Sequence, residues 1–524
     1  MWSDIAVILA VAVAAMAGLV VLSLTTHGPA QANPISASTT APSSTVQLSV
    51  TTITSSSSTA STTLAIVPIN APESQPNASV QGGDNWTSFI LDGYDSRYQT
   101  GSTVTASNAS GLAQRWALNT FSAITSTPVV LNGSIYFADW AGTVWRVNLS
   151  DGSVIWKTYL AGNTVPGTFP ISSTPALGHG EVYVGFGPKS GPGGRVHVTA
   201  LSQVDGHVIW NDSINASMKA IWASPTLSGN MLYIGLSSSD KFGETNRSFI
   251  GQVLALNAQT GATVWSFNTI KPGTGGAGVW SSVVVDNGLN SIYFGTGNAY
   301  NVSVNGSLYS DSVVSLNAST GKLNWFYQAH RSGTPLADLD FGSTANLFSV
   351  EINGSVYKAI GIGSKDGSYY VLDRTDGKLL RKFGLGTSAQ GGGILGVPGY
   401  VYLSNNTPEV LVPAYTGAPV NTTPSCCGSL FALVPSTGTL AWRFNTTGDI
   451  IGSVSITSGG VALFGDTSGN LYAVSISSGK QLLRVKLPNA IDAGVTPAGG
   501  FVIVPLSFGP NNSTGIRAYS INAG

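Results

Sequence analysis

One short unit recurs along this chain, and it limits the possible folds more than any other feature. The copies are GTVWRVNLSDGSVIW (142–156), VHVTALSQVDGHVIW (196–210), GQVLALNAQTGATVW (251–265), SVVSLNASTGKLNW (312–325), GSYYVLDRTDGKLLR (367–381), GSLFALVPSTGTLAW (428–442) and GNLYAVSISSGKQLL (469–483). Each reads as an alternating strand, a turn ending in glycine, and a second strand. Self-similarity of this kind marks architectures whose units bury their faces only against their neighbours. The turn glycines Gly152, Gly206, Gly261, Gly321, Gly377, Gly438 and Gly479 supply the positive φ that a tight hairpin requires. Four residues after each comes Trp156, Trp210, Trp265, Trp325, Arg381, Trp442 or Leu483, placed to pack between adjacent units. A further short strand precedes each unit, as in SIYFAD or EVYVGF. Four strands per unit is the make-up of a β-propeller blade.

Seven copies are whole and an eighth is divided. The chain ends on GIRAYSINAG (515–524), the first strand and turn of a unit, and stops at Gly524, where the next strand is due. That strand stands at the start of the domain as QRWALNT (114–120), with Trp116 in the tryptophan position. The expected fold is all-β: an eight-bladed β-propeller with one blade closed by both chain ends, which removes free sheet edges.

Composition agrees. Glycine is abundant (64 residues), only 9% of residues are charged, and the net charge of −1 excludes the electrostatic footprint of a nucleic-acid binder. The only cysteines, Cys426 and Cys427, are adjacent. That excludes a disulfide framework, a CxxC or Cys/His zinc site, and a c-type haem within the chain. Residues 5–24 are apolar and uncharged, long enough to cross a bilayer core as a helix. They read either as an uncleaved signal anchor or as part of a signal peptide cut after Ala32, where Ala30-Gln31-Ala32 fits the small-x-small pattern. Both readings export the rest of the chain. Residues 36–64 are dominated by Ser, Thr, Ala and Val and form no core, so they read as a disordered stalk. The expected organisation is an N-terminal segment over 1–32, a Ser/Thr-rich linker over 33–84 and a propeller over 85–524. Numerous Asn-x-Ser/Thr sequons, from Asn77 to Asn445, suit a glycosylated surface protein in the style of archaeal ones. No motif of paired carboxylates supports a glycosidase.

The unit resembles the repeat of pyrroloquinoline quinone (PQQ) dehydrogenases, which form eight-bladed propellers. The similarity spans about 85–524 and opens with NWTSFILDGYDSRYQT (85–100), which looks like the polyvinyl-alcohol dehydrogenase branch. GGAGVWSSVVVDNGLNSIYFGTGN (275–298) is similar to the segment that supplies the tryptophan floor under PQQ and an Asn ligand to Ca²⁺. The resemblance assigns those roles to Trp280 and Asn298. DLDFGSTANLF (338–348) resembles the segment carrying the catalytic base beside the metal, which makes Asp340 that base, with Asp338 a loop cap. GSKDGSYYVLD (363–373) places Lys365 where the family bonds the quinone oxygen that gains electrons. Where the family has a metal-binding Glu, this chain reads GLSSSDKFGETNRSFIGQVLAL (235–256), with Asp240 in place and Glu244 shortly after. Either offers hard carboxylate oxygen, although the shorter Asp requires the loop to move inward.

Family members often hold a disulfide between adjacent cysteines beside PQQ. Cys426 and Cys427 precede the same strand of their unit that Asn298 and Lys365 precede in theirs, which sets them on the same face of the ring. The sets Ser126-Thr127-Pro128, Ser173-Thr174-Pro175 and Ser224-Pro225 read either as mouth-lining residues or as structural turns. The resemblance implies an exported PQQ- and Ca²⁺-dependent dehydrogenase acting on a small alcohol or sugar, tethered by its N-terminal segment and handing electrons to an external acceptor. Propellers of the same repeat also serve as non-catalytic scaffolds, which leaves a cell-surface binding protein as the alternative.

Overall fold

The computed structural model describes residues 84–160, 171–187, 196–214, 219–238, 249–272, 274–300, 308–330, 338–387, 392–417, 428–509 and 513–521. The hydrophobic segment over 5–24, the Ser/Thr stalk, Asp240, Glu244, Cys426 and Cys427 lie outside the described residues. Among the described residues no helix is long and apolar enough to cross a membrane.

Eight antiparallel sheets follow one another, as the repeat predicts. They span 129–159, 176–214, 226–268, 284–328, 346–384, 399–445, 455–486 and 496–521, and are numbered here as blades 1 to 8. The eighth gains its outermost strand from the start of the domain. Leu112–Asn119 pairs antiparallel with Gly515–Ile521, with Trp116 opposite Ala518. The split blade therefore closes the ring. Fourth strands are largely exposed, as in Val154–Tyr159, whereas second and third strands are mostly buried, Ser134–Ala138 throughout. The core thus lies between blades, with fourth strands outside and first strands around the axis.

The predicted seam between blades is present. A Cβ on Gly152, Gly206, Gly261, Gly321, Gly377 or Gly479 would lie 2.5–2.7 Å from the indole of Trp116, Trp156, Trp210, Trp265, Trp325 or Trp442 on the preceding blade. Each of these indoles also donates its N–H to a carbonyl of the blade it covers, as Trp265 Nε1 does to Ala318 O at 3.0 Å and Trp325 Nε1 to Arg374 O at 3.0 Å. The turn glycines have φ between 66° and 77°, so bare backbone and flat ring fit one another. One residue type solves the turn and the packing together.

A second belt runs nearer the axis. The Thr127 N–H donates to Thr174 Oγ1 (2.9 Å), Thr174 N–H to Ser224 Oγ (3.0 Å), Ser224 N–H to Ser282 Oγ (2.9 Å) and Ser282 N–H to Thr344 Oγ1 (3.1 Å). The Gly494 N–H completes the step from blade 8 to Thr127 Oγ1 at 3.0 Å. The recurrent Ser/Thr-Pro segments are therefore buried structural joints, and do not line the mouth.

Residues 84–105 close one end of the axis. They bond to the inner strands of blade after blade: Trp86 with Val130, Thr87 O with Leu177 N, Tyr94 O with Leu347 N, Ser96 O with Tyr400 N, and Arg97 O with Ile456 N. Arg97, fully buried, lies over Trp86 and Phe89 and pairs with Asp95 at 3.3 Å. The opposite end, formed by the connectors between blades and the loops joining second to third strands, carries the predicted site.

Candidate active site at the junction of blades 4 and 5

Four residues singled out in the sequence come from separate segments of two blades and meet. Trp280 stands on the connector entering blade 4, and Asn298 follows that blade's second strand, Ser291–Gly295. Asp340 stands on the connector entering blade 5, and Lys365 follows its second strand, Ser355–Gly363. Asp340 joins them. Its Oδ2 accepts the Trp280 indole N–H at 2.9 Å and a hydrogen bond from Lys365 Nζ at 3.2 Å, while its Oδ1 accepts the Asn298 backbone N–H at 2.8 Å. The Asp340 carbonyl accepts the Lys365 backbone N–H at 2.9 Å. Lys365 Nζ lies 5.0 Å from the centroid of the Trp280 ring, within cation–π range.

Glycine makes this convergence possible. A Cβ on Gly342 would fall 1.7 Å from the Trp280 ring, and one on Gly297 3.1 Å from Asp340 Oδ2. The backbone of blade 5 thus seats the indole edge, and that of blade 4 admits the carboxylate.

Two acids without an assigned catalytic role belong to the same cluster. Asp338 is not a loop cap: both its oxygens accept from Lys365 Nζ, at 2.7 and 2.8 Å. Burial and the neighbouring Asp340 push its carboxyl up to about 7. Asp311, immediately before the third strand of blade 4, is 7% exposed, and its Oδ1 has no hydrogen-bond partner. Burial, then the charges of Asp340 and Asp338, raise it to about 8. Lys365 is a buried cation with a side-chain exposure of 13%, and not a solvent-facing turn lysine. Burial pulls its pKa down, but Asp340 and Asp338 outweigh that and hold the ammonium charged. Nothing in the sequence marks Asp311. Its one signal is that it precedes a third strand, on the face where the other site residues lie.

The cluster sets three carboxyl groups against one ammonium in a buried place, and a hard cation there would stabilise their ionised forms. Its donors suit Ca²⁺ in kind. Among the described residues, however, no three His, Cys, Asp or Glu side chains form a complete metal site by themselves. The acidic candidates Asp240 and Glu244 would have to complete it. For a planar quinone the residues fit: a partly open indole face and a buried ammonium beside it.

Comparison with known proteins agrees with the propeller fold. The model described as glucose/ethanol/alcohol dehydrogenase, beta-propeller domain, matches residues 180–384. A second, described as outer membrane protein assembly factor BamB, matches 70–248 and 428–524, more than half of the chain. The quinohemoprotein alcohol dehydrogenase ADH-IIG of Pseudomonas putida is 26% identical over 408 residues, covering 68% of this chain and 54% of the relative. The polyvinylalcohol dehydrogenase of a Pseudomonas species is 23% identical over 356 residues, 60% of this chain and 54% of the relative. The chain thus spans about half the length of the curated relatives it matches. Among solved structures, the P. putida ADHIIG enzyme superposes with a TM-score of 0.70 at 18% identity, over 84% of this chain and 81% of that one. A europium-containing methanol dehydrogenase gives 0.70 at 16%, over 83% and 97%. Repeat, ring closure and matched models agree: the chain belongs to the eight-bladed β-propeller repeat family of the PQQ-dependent dehydrogenases.

Proposed function

We propose that this protein is an extracytoplasmic quinoprotein-type dehydrogenase that oxidises an alcohol or sugar hydroxyl with PQQ and Ca²⁺ and passes the electrons to an external acceptor. The observation that carries the reading is the meeting of Trp280, Asp340 and Lys365 within one hydrogen-bonded cluster. A scaffold has no need to assemble a buried base, a buried cation and a flat ring at one point of the ring's open end.

Bound there, PQQ supplies a two-electron acceptor and Ca²⁺ a Lewis-acidic charge. The chain's own residues do the rest. Trp280 offers a flat apolar surface, with its orientation set by the hydrogen bond to Asp340. Lys365, held by Asp338, fixes positive charge where negative charge grows during reduction. Asp340 is the base that takes the hydroxyl proton of the substrate, placed for it between Trp280, Lys365 and the Asn298 backbone. Asn298 and Asp340, completed by Asp240 or Glu244, are the residues that would hold the metal. Cys426 and Cys427, in the corresponding loop of blade 6, would border the quinone. Tethering through the N-terminal segment would keep the ring at the cell surface.

Reconstitution tests this. The full chain incubated with PQQ and Ca²⁺ should acquire a bound-quinone absorbance and reduce an artificial dye when given primary alcohols. Absence of quinone binding in the wild type, or unchanged binding after Trp280→Ala, defeats the proposal. A non-catalytic cell-surface propeller is the second reading. It is favoured by the breadth of the BamB-type match, and quinone-free protein that binds a macromolecular partner would establish it.

A further inference from the structure

Seven of the eight connectors between blades carry one outward position: Thr125, Ser172, Trp222, Trp280, Leu395, Ile451 and Asp492 each lie between two buried neighbours and are themselves less buried. Trp222 of blade 3 is therefore the counterpart of Trp280 in blade 4, two positions from the joint serines Ser224 and Ser282 in each case. The loops joining second to third strands carry a matching position. Lys365 holds it in blade 5, Trp140 in blade 1 and Phe508 in blade 8. In a closed ring of eight, blade 1 stands opposite blade 5, so Trp140 and Lys365 stand on opposite sides of the axis.

Three aromatic residues come from three blades, and Trp140 touches both Trp222 and Phe508. Their centroids are 6.0 Å apart for Trp140–Trp222 at 57°, and 4.9 Å for Trp140–Phe508 at 83°. The Trp140 indole N–H is spent on Thr125 Oγ1 at 2.7 Å, which locks the ring in place. Trp222 is 43% exposed. From the structure we infer that this cleft of angled aromatic faces is the specificity surface of the mouth, and that it takes the aromatic body of an aryl alcohol whose hydroxyl points toward Asp340. The direction of the hydroxyl rests on the function proposed above.

Two features favour an aryl group over a sugar. The rings meet at 57° and 83°, whereas a sugar ring stacks on a flat platform. Four of the seven outward connector positions, Trp222, Trp280, Leu395 and Ile451, are apolar, and sugar recognition needs a denser set of donors and acceptors than Thr125, Ser172 and Asp492 supply. An aromatic ring in such a cleft gains edge-to-face contacts beyond area burial.

The test is binding, read without turnover. Benzyl alcohol and glycerol are titrated into the cofactor-free full chain and followed by tryptophan fluorescence and calorimetry. Benzyl alcohol should bind saturably and glycerol should not. Trp222→Ala and Phe508→Ala, each followed by circular dichroism to show an intact ring, should weaken benzyl alcohol about tenfold. Equal binding in folded variants, no saturable binding in the wild type, or a preference for glycerol overturns the cleft. Benzyl alcohol binding without dye reduction in the reconstituted protein would instead defeat the proposed dehydrogenase and leave the cleft standing.

Discussion

At the scale of single residues, the site depends on what lies beneath the chemistry as much as on the chemistry itself. Gly342 has no reacting group, yet a methyl there would occupy the place of the Trp280 ring. Gly342→Ala should displace the indole, break its bond to Asp340 and lower quinone affinity at least about tenfold, while far-ultraviolet dichroism stays that of the wild type. Asp311 gives a second prediction. With its carboxyl raised to about 8 by burial and by Asp340 and Asp338, it stays mostly protonated in the folded ring at neutral pH. The unfolded chain releases that proton at about pH 4. The wild type therefore loses stability as pH rises from about 4 to 8, and a neutral Asn at this position does not. Asp311→Asn should match the wild type near about pH 4, then gain on it by about 1 kcal/mol per pH unit, levelling off above about pH 8. Denaturant unfolding at pH 5 and pH 7 measures the gain. Trp280, Asn298, Asp340 and Lys365 are legible in the sequence because short glycine-rich motifs surround them. Asp311 and the grip of Asp338 on Lys365 are not, because they depend on how distant segments pack, and no local pattern encodes that.

At the scale of the blade, the repeat can be read almost strand for strand, since alternation, turn glycine and seam tryptophan all report one geometry. The N-terminal crossing over 84–105 cannot. Its residues carry no period, and their bonds reach the inner strands of several blades, which stand in place only once the ring exists. The seam invites two substitutions of opposite sign. Trp265→Ala removes an indole that covers Gly321 and bonds to Ala318, and should cost about 3 kcal/mol. Blade 5 breaks the rule: Arg381 lies beside Gly438, its Nε 3.4 Å from where a Cβ would be, in place of a packed indole. Arg381→Trp restores the rule and should stabilise by about 0.5–2 kcal/mol. Urea midpoints of the two variants, taken with the wild type, decide both. Removing 515–524 should be worse than either, because Leu112–Asn119 loses its only described strand partner and two edges open; the expected outcome is aggregation, read by light scattering.

At the scale of the whole molecule, the distribution of acids sets the response to pH. The chain has only 24 acidic side chains, and several sit inside the ring. Burial raises Asp95, at the closed end of the axis, to about 7, and Glu409, on an inner strand of blade 6, to about 7. On the open side, burial with the nearby Asp466 raises Asp449 to about 6, and burial raises Asp492 to about 6 despite its bond to Ser507. In the unfolded chain all four titrate at about pH 4. Between about pH 4 and pH 7 the folded ring therefore holds more protons than the unfolded chain, and by linkage its stability falls as pH rises through that window. The usual pattern for salt-bridged carboxylates runs the other way. The thermal midpoint of the metal-free protein should accordingly be higher near pH 5 than near pH 8, with the decline flattening once these groups have ionised. A midpoint that rises over the same range would mean that Asp95 keeps its charge against Arg97 and that Glu409, Asp449 and Asp492 are paired or hydrated in solution, with an axis wetter than a ring closed at one end by a buried arginine would allow.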